Sequence, residues 1–287
     1  MAEYLANQFQ APKLSKNDFQ RIGGFIQSNF GIKMPDSKRM MIESRLRKRL
    51  KSLGIDSYSG YCDYLFSQQG QVNELQSFID VVTTNKTDFF REPDHFTYLS
   101  NKALPQLVNL HGTGGHKTFN VWSSACSKGD EPYTLAMVLS DYISTHRGCD
   151  FRILATDIST QVLDYARKGV YPHANIDPVP MGLRKKYLLK SKNNNEELVR
   201  IIPELREKIS FKQLNLIAGD FQKYKVMDII FCRNVIIYFD HATSFLLVQR
   251  LCNKLRKGGY LFMGHSELLD CNALPLTQVA PTIYQKI

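Results

Sequence analysis

Arg233 and Asn234 stand directly after Met227–Cys232, a short apolar run too brief for a helix. Such a run reads as a strand buried on both faces, as in a parallel sheet covered by helices. Two polar side chains at its carboxyl end sit where open α/β sheets hold their ligands. Tyr238 follows four residues after Asn234, a hydroxyl among apolar neighbours. Asp157 closes another strand, residues 151–156. A carboxylate there can accept hydrogen bonds from both hydroxyls of a ribose, although an Asp at a strand end also serves as a helix cap. A third strand, residues 119–123, runs into Ser124-Ala-Cys-Ser-Lys-Gly-Asp-Glu131. A dinucleotide site would need several glycines here, so that the backbone can approach a pyrophosphate. Only Gly129 is present, beside Asp130 and Glu131. Acids oppose a phosphate and suit a cation. S-adenosylmethionine (SAM), a nucleoside with a sulfonium and an ammonium but no phosphate, fits better than a dinucleotide.

These residues need a frame. Helices are expected over Thr160–Lys168, 130–140 and 242–255, and further strands over 209–214, 260–264 and 277–285. Strands alternating with helices over about 170 residues predict a doubly wound α/β sheet. One interval, about 170–207, breaks the rhythm. It ends in two short strands around an Asn-rich turn and reads as an inserted β-hairpin subdomain.

The first 84 residues differ. Residues 1–13 read as a flexible leader. Phe19, Ile22, Phe25, Ile26 and Phe30 recur at helical spacing, with Ser15 and Asp18 as a capping-box-like start and Gly31 as the stop. A second helix, about 37–53, has the apolar stripe Ile42, Leu46, Leu50 and Leu53. Its other surface carries Lys38, Arg39, Arg45, Arg47, Lys48, Arg49 and Lys51 against the single acid Glu43. So one-sided a helix has few i,i+4 pairs and suits an acidic partner. Two further helices are expected at about 58–68 and 74–82, giving an all-helical domain over 14–84. Residues 85–110 read as a linker and helix, and 111–287 as the α/β domain.

Composition narrows the rest. The 287-residue chain is 43% hydrophobic with a formal net charge of +10, which favours an acidic partner. No aromatics interleave with the basic run, so a nucleic-acid stacking platform is not indicated. The six cysteines lie in no metal-type spacing and suit free thiols in a reducing cytoplasm. The seven histidines are scattered, and no metal is expected. With no signal-peptide pattern and no apolar run of spanning length, the sequence reads as soluble and cytoplasmic.

Six blocks occur in order: Asn85-Lys-Thr-Asp-Phe-Phe-Arg-Glu92, Val121-Trp-Ser-Ser-Ala-Cys-Ser-Lys-Gly-Asp-Glu-Pro-Tyr133, Thr156-Asp-Ile158, Asn215-Leu216, Phe231-Cys-Arg-Asn-Val-Ile-Ile-Tyr-Phe239 and Gly264-His-Ser-Glu267. Together they resemble the chemotaxis receptor glutamate O-methyltransferases, the CheR family, from about Leu14 to the C-terminus. Three departures stand out. The acid pair after the glycine is Asp130-Glu131 where Glu-Glu is usual, Lys128 replaces a small polar residue, and the hairpin turn Ser191-Lys-Asn-Asn-Asn195 lacks the glycines found in some peptide-docking members. The resemblance implies SAM contacts from Asn85, Thr87, Arg91, Glu131, Asp157, Asn215, Leu216, Arg233 and Asn234, with S-adenosylhomocysteine as product. It implies Arg91 and Tyr238 as the groups next to the transferred methyl. It implies that Arg45, Arg47, Lys48, Arg49 and Lys51 face the acidic coiled coil of a receptor's methylation region, and that the hairpin docks a receptor C-terminal peptide. It also implies a monomer recruited to membrane-bound receptor arrays. Two other readings compete: a SAM-dependent RNA or small-molecule methyltransferase, which lacks an Asn/Asp-Pro-Pro-Tyr motif here, and a non-catalytic SAM-sensing scaffold.

Overall fold

The computed structural model describes residues 12–110, 117–146, 148–193 and 197–287. The leader before residue 12, the Gly112–Gly115 loop and the centre of the Asn-rich turn lie outside the described residues. The chain divides into two compact units, one ending at Thr83 and the other beginning at Thr84.

The first unit is all helical: α1 (Lys16–Phe30), α2 (Arg39–Leu53), α3 (Tyr58–Phe66), α4 (Gln68–Asn73) and α5 (Leu75–Val82). Ser15 caps α1 by accepting the Asp18 N–H at 3.0 Å, and its hydroxyl donates to the Asp18 carboxylate at 2.6 Å. Gly31 and Gly54 end α1 and α2 in left-handed conformations that a Cβ would disfavour. Phe19, Ile22, Ile26, Ile42, Leu46 and Leu50 are buried. Phe25 and Leu53 are only partly so.

The basic surface of α2 departs from the sequence reading, which placed all its cations outward. Arg45 Nη1 instead donates to the carbonyls of Val82 at 2.7 Å and Thr83 at 3.0 Å, capping the C-terminal end of α5. Arg49 donates two hydrogen bonds, 2.8 and 2.6 Å, to Glu74. That carboxylate is buried and also accepts from the Tyr61 hydroxyl at 2.9 Å. Arg39, Arg47, Lys48 and Lys51 remain exposed, with Arg47 paired to Glu43 at 3.1 Å. Sequence spacing counts partners within a helix and cannot see a carboxylate arriving from another one.

The second unit is built on a seven-stranded sheet. Its elements are α6 (Pro93–Tyr98), a π turn (Leu99–Ala103), α7 (Leu104–Leu110), β1 (Lys117–Ser124), α8 (Asp130–Thr145), β2 (Cys149–Asp157) and α9 (Thr160–Lys168). The insertion follows: β3 (Val170–Pro172), α10 (Met181–Tyr187), β4 (Leu188–Lys190) and β5 (Leu198–Ile201). Then come α11 (Pro203–Arg206), β6 (Ile209–Gln213), β7 (Met227–Cys232), α12 (His241–Lys254), β8 (Leu255–Met263), β9 (Leu276–Ala280) and β10 (Ile283–Lys286). The strand order is β6-β2-β1-β7-β8-β10-β9. The five strands from β6 to β8 are parallel, and β10 is antiparallel to both neighbours. The chain builds outward from β1 on one side, then returns to build from β7 on the other, so the switch point lies between β1 and β7.

The insertion is larger than a hairpin. β4 and β5 pair antiparallel as expected, but β3 joins on the far side of β5, making a three-stranded sheet in the order β3-β5-β4. A three-residue strand carries too little pattern to be read from sequence. Within β7 every residue is buried, including Asp228. That acid accepts the Asn120 N–H at 2.8 Å and pairs with Arg256 at 3.2 Å, so it fits in an otherwise apolar run.

Removing one partner of a buried ion pair leaves the other charge uncompensated. Glu74→Ala should therefore destabilise the helical unit by about 3–5 kcal/mol in chemical denaturation. Removing Asp63, an exposed partner of Arg21, should cost less than about 1 kcal/mol.

Candidate active site

The register brings the strand ends level. Ser124 at the end of β1 pairs with Thr156 of β2 and Cys232 of β7, Cys232 pairs with Met263 of β8, and Asp157 pairs with Gln213 of β6. The segments that leave this edge are therefore residues 125–129, 158–159, 214–216, 233–238 and 264–267, and all the sheet-borne candidate residues lie on or beside them. Two hydrogen-bond networks connect them with the segment 85–92.

The first network centres on Asp157, whose side chain is buried. One carboxylate oxygen accepts the Ser127 N–H at 2.8 Å and the other accepts the Ser159 N–H at 3.0 Å. The Asp157 carbonyl accepts the Leu214 N–H at 2.8 Å, which fixes the start of the Asn215–Leu216 segment. The Asn215 side chain turns back to accept the N–H groups of Ile217 at 2.9 Å and Ala218 at 3.3 Å. Ser127 Oγ donates to the Asn85 carbonyl at 3.0 Å, bringing the 85–92 segment to the β1 loop. That loop is tight. Ala125 and Ser127 both have positive φ, and a Cβ on Gly129 would come within 2.8 Å of Ala166 and 2.9 Å of the Tyr171 hydroxyl. Glycine is required there by contact as well as by its φ of 93°.

The second network centres on Arg233. Its side chain is 2% exposed, and its guanidinium lies over the Phe96 and Phe231 rings, 5.4 and 5.8 Å from their centroids. It donates to Glu92 Oε2 from Nε at 3.2 Å and from Nη2 at 2.9 Å, and to the Arg91 carbonyl. On its other side it lies 3.5 Å from Glu131. Glu131 also accepts the Ser123 hydroxyl at 2.7 Å. Burial raises the Glu131 carboxyl above its usual range, opposed by Arg233 and the Ser123 bond. Burial raises Glu92 as well, but Arg233 and the His265 N–H outweigh it and hold Glu92 below the usual range. At Asp130 burial prevails: it pushes the carboxyl up to about 6, opposed by a backbone hydrogen bond and the Lys128 charge and reinforced by nearby Asp88.

Asn234 has φ of 58°, an uncommon conformation for a residue with a Cβ. Two carboxylates hold it. Glu267 Oε2 accepts its N–H at 2.7 Å, and Glu92 Oε1 lies 3.4 Å from its side-chain nitrogen. Tyr238 ends a 3-10 turn, Ile236–Tyr238, and is partly exposed. Arg91 and Thr87 are also partly exposed, and Arg91 Nη1 reaches the Lys86 carbonyl at 3.4 Å.

Among the described residues, one trio could in principle hold a cation: Glu92, His95 and His265, with ligand atoms within 4.8 Å of one another. The Arg233 guanidinium already occupies the Glu92 oxygen nearest His95, and its charge opposes a metal. Burial, and next the Arg233 charge, lower His95 to about 4. All six cysteines are free thiols, and burial raises Cys126 and Cys232 well above the ordinary range, so neither is a ready nucleophile. A cleft of about 700 Å³ lined by Phe90, Phe96, Ser100, Val138, Tyr142 and Leu183 contains none of the sheet-edge residues above.

The donor set suits SAM. Asp157 is a buried carboxylate at the end of β2, the kind of acceptor that takes ribose hydroxyls in open α/β sheets. Acids, not N–H groups with several glycines, line the turn into α8. Residues 85–284 match the family model for the CheR methyltransferase SAM binding domain, and residues 17–83 match that for the CheR methyltransferase all-alpha domain. The chain belongs to the CheR methyltransferase family. It is an enzyme, a SAM-dependent methyltransferase. Its relatives include a chemotaxis protein methyltransferase of Escherichia coli, 39% identical over 94% of this chain and 91% of that one. Another, from Borreliella burgdorferi, is 38% identical over 95% of both chains. A third, chemotaxis protein methyltransferase 2 of Pseudomonas aeruginosa, is 36% identical over 94% of this chain and 93% of that one.

The sequence reading gave no role to Glu92, Ser127 or Glu267, yet these three tie the candidate residues together. All three lie in the blocks that carried the CheR resemblance, Glu92 ending the first, Ser127 inside the second and Glu267 ending the last. That placement was the available signal.

His95 offers a pH test. Unfolded histidine titrates near 6.5, and the folded value is about 4. Protonation therefore favours the unfolded chain. The stability from this group is complete above about pH 6.5 and falls as the pH drops towards 4. Between pH 7 and 5 the wild type should lose about 2 kcal/mol more than a His95→Gln variant in denaturant unfolding.

Proposed function

We propose that this CheR-family enzyme transfers the methyl group of SAM to glutamate side-chain carboxylates of chemoreceptors, forming glutamate 5-O-methyl esters for sensory adaptation in bacterial chemotaxis. The observation that carries the proposal is the match of both units, the helical one included, to proteins named chemotaxis protein methyltransferases over nearly the whole of each chain.

On this reading Asp157 receives the ribose hydroxyls, Asn215 and Leu216 flank the adenine, and Glu131 faces the cationic end. Asn85, Thr87, Arg91 and Asn234 complete the cofactor contacts. Arg233, buried and forked onto Glu92, contributes through its charge and by holding Arg91 in place. When bound, SAM supplies an electrophilic methyl on a sulfonium sulfur. The acceptor needs no strong base, because a glutamate side chain with a pKa of about 4.3 is already ionised at neutral pH. The chain's task is to align that carboxylate and exclude water, and positioning of this kind can contribute several kcal/mol. Arg91 and the Tyr238 hydroxyl hold the non-attacking oxygen. A two-point hold of this sort leaves the attacking oxygen nucleophilic, where full pairing would blunt it.

The exposed cations Arg47, Lys48 and Lys51 suit the acidic coiled coil of a receptor's methylation region. Arg45 and Arg49, bound within their own unit, shape that helix from behind. The β4 edge of the small sheet is the place for a receptor C-terminal peptide. The enzyme acts in the cytoplasm as a monomer recruited to membrane-bound receptor arrays; among the described residues no helix is long and apolar enough to cross a membrane.

Methyl-labelled SAM incubated with chemoreceptor membranes should put label in a receptor-sized band, released as methanol by mild alkali. Alkali-resistant label, or label in RNA, would overturn the substrate assignment. Tyr238→Phe should lower turnover at least tenfold while changing SAM affinity little. Asp157→Ala should weaken SAM binding roughly 10- to 100-fold in calorimetry, the effect of losing hydrogen bonds to a charged acceptor.

A further inference from the structure

Glu267 is 2% exposed, and no lysine or arginine is paired with it among the described residues. Its charge is met by main-chain N–H groups alone. Oε2 accepts from Gly264 at 2.7 Å and Asn234 at 2.7 Å. Oε1 accepts from Val235 at 2.7 Å and Ile237 at 3.3 Å. Three of these donors belong to one turn, and that turn runs from Asn234 directly into Tyr238. The approach is close enough that a Cβ on Gly264 would meet Asn234 Nδ2 at 2.6 Å and Glu267 Oε2 at 2.8 Å.

We propose that Glu267 is a positioning residue for methyl transfer. Its carboxylate holds the left-handed backbone at Asn234 and the 3-10 turn after it as one piece, and so fixes Tyr238 relative to the cofactor side of the site. This rests on the reading of Tyr238 given above. The two oxygens divide the work. One ties Asn234 to the end of β8, and the other ties the start of the Tyr238 turn to the same side chain. Burial raises the carboxyl's pKa while the four N–H groups pull it down. A neutral amide cannot replace it, because one end of a glutamine is a donor and would face two N–H groups whichever way it turned.

The test compares Glu267→Gln, Tyr238→Phe and the double variant. Glu267→Gln should lower kcat about 100-fold, the cost of misplacing a reacting group by about 1 Å. SAM affinity should fall by no more than about tenfold, the share of the Asn234 contact, because Asp157 and Glu131 do not depend on Glu267. The double variant should be scarcely slower than the slower single variant, since both changes remove one placement. Effects that multiply, or a loss of SAM affinity as large as the loss in kcat, would overturn the proposal.

Amide hydrogen exchange supplies a readout that needs no acceptor. In Glu267→Gln the N–H groups of Asn234, Val235, Ile237 and Gly264 should exchange at least tenfold faster, with the β1 and β2 amides unchanged. Glu267→Asp, charged but shorter, should fall between. Unchanged exchange in the turn would overturn the anchoring role, whatever the substrate. Wild-type enzyme that leaves receptors unlabelled would defeat the receptor assignment alone, with the exchange and SAM-binding comparison still deciding for or against Glu267.

Discussion

Everything at the candidate site depends on the parallel register around β1. Five strands end at one level, so residues as far apart in sequence as Ser124 and Cys232 leave the sheet side by side. A slip of one residue in β7 would turn its side chains to the opposite faces of the sheet. The six consecutive buried residues of that strand, packed on both faces, make such a slip costly. The site is thus a property of pairing first and of side chains second.

Burying charge at that edge creates a second constraint. Arg233 sits between Glu92 and Glu131, with aromatic rings against its guanidinium. An unpaired buried guanidinium would be strongly destabilising, so its position is set by two carboxylates from different segments. The arrangement leaves acids around the start of α8 and so disfavours phosphate. Discrimination between a sulfonium nucleoside and a dinucleotide therefore follows from the same charges that hold the 91–92 segment against the sheet.

Much of this was legible in the sequence, and the limits are instructive. β7 and α9 follow from pattern alone, because a six-residue buried run and a capped amphipathic helix each carry a local signal. Asp157, Arg233 and Asn234 could be placed because strand ends are where α/β folds bind ligands. The Arg49–Glu74 pair could not be seen, since its partners come from different helices and α2 read as uniformly outward-facing. The strand β3 was missed because its partner β5 begins 28 residues later, after α10 and β4. Glu267 was visible only as part of a motif. Its role is to accept main-chain N–H groups, and those donors leave no trace in residue type.

Tyr171 gives the small sheet a further significance. It lies in β3, yet its hydroxyl donates to the Lys128 carbonyl at 2.7 Å, in the loop that leads to Gly129. Its ring stands edge-on to Phe89, 4.9 Å away. The insertion thus forms one wall of the β1 loop and cannot be traded between relatives as an independent cassette. A graft that swapped residues 170–207 would carry off a strut of the β1 loop unless it kept a tyrosine at this place. Change at β3 is accordingly constrained by the β1 loop, whatever the rest of the small sheet is asked to hold.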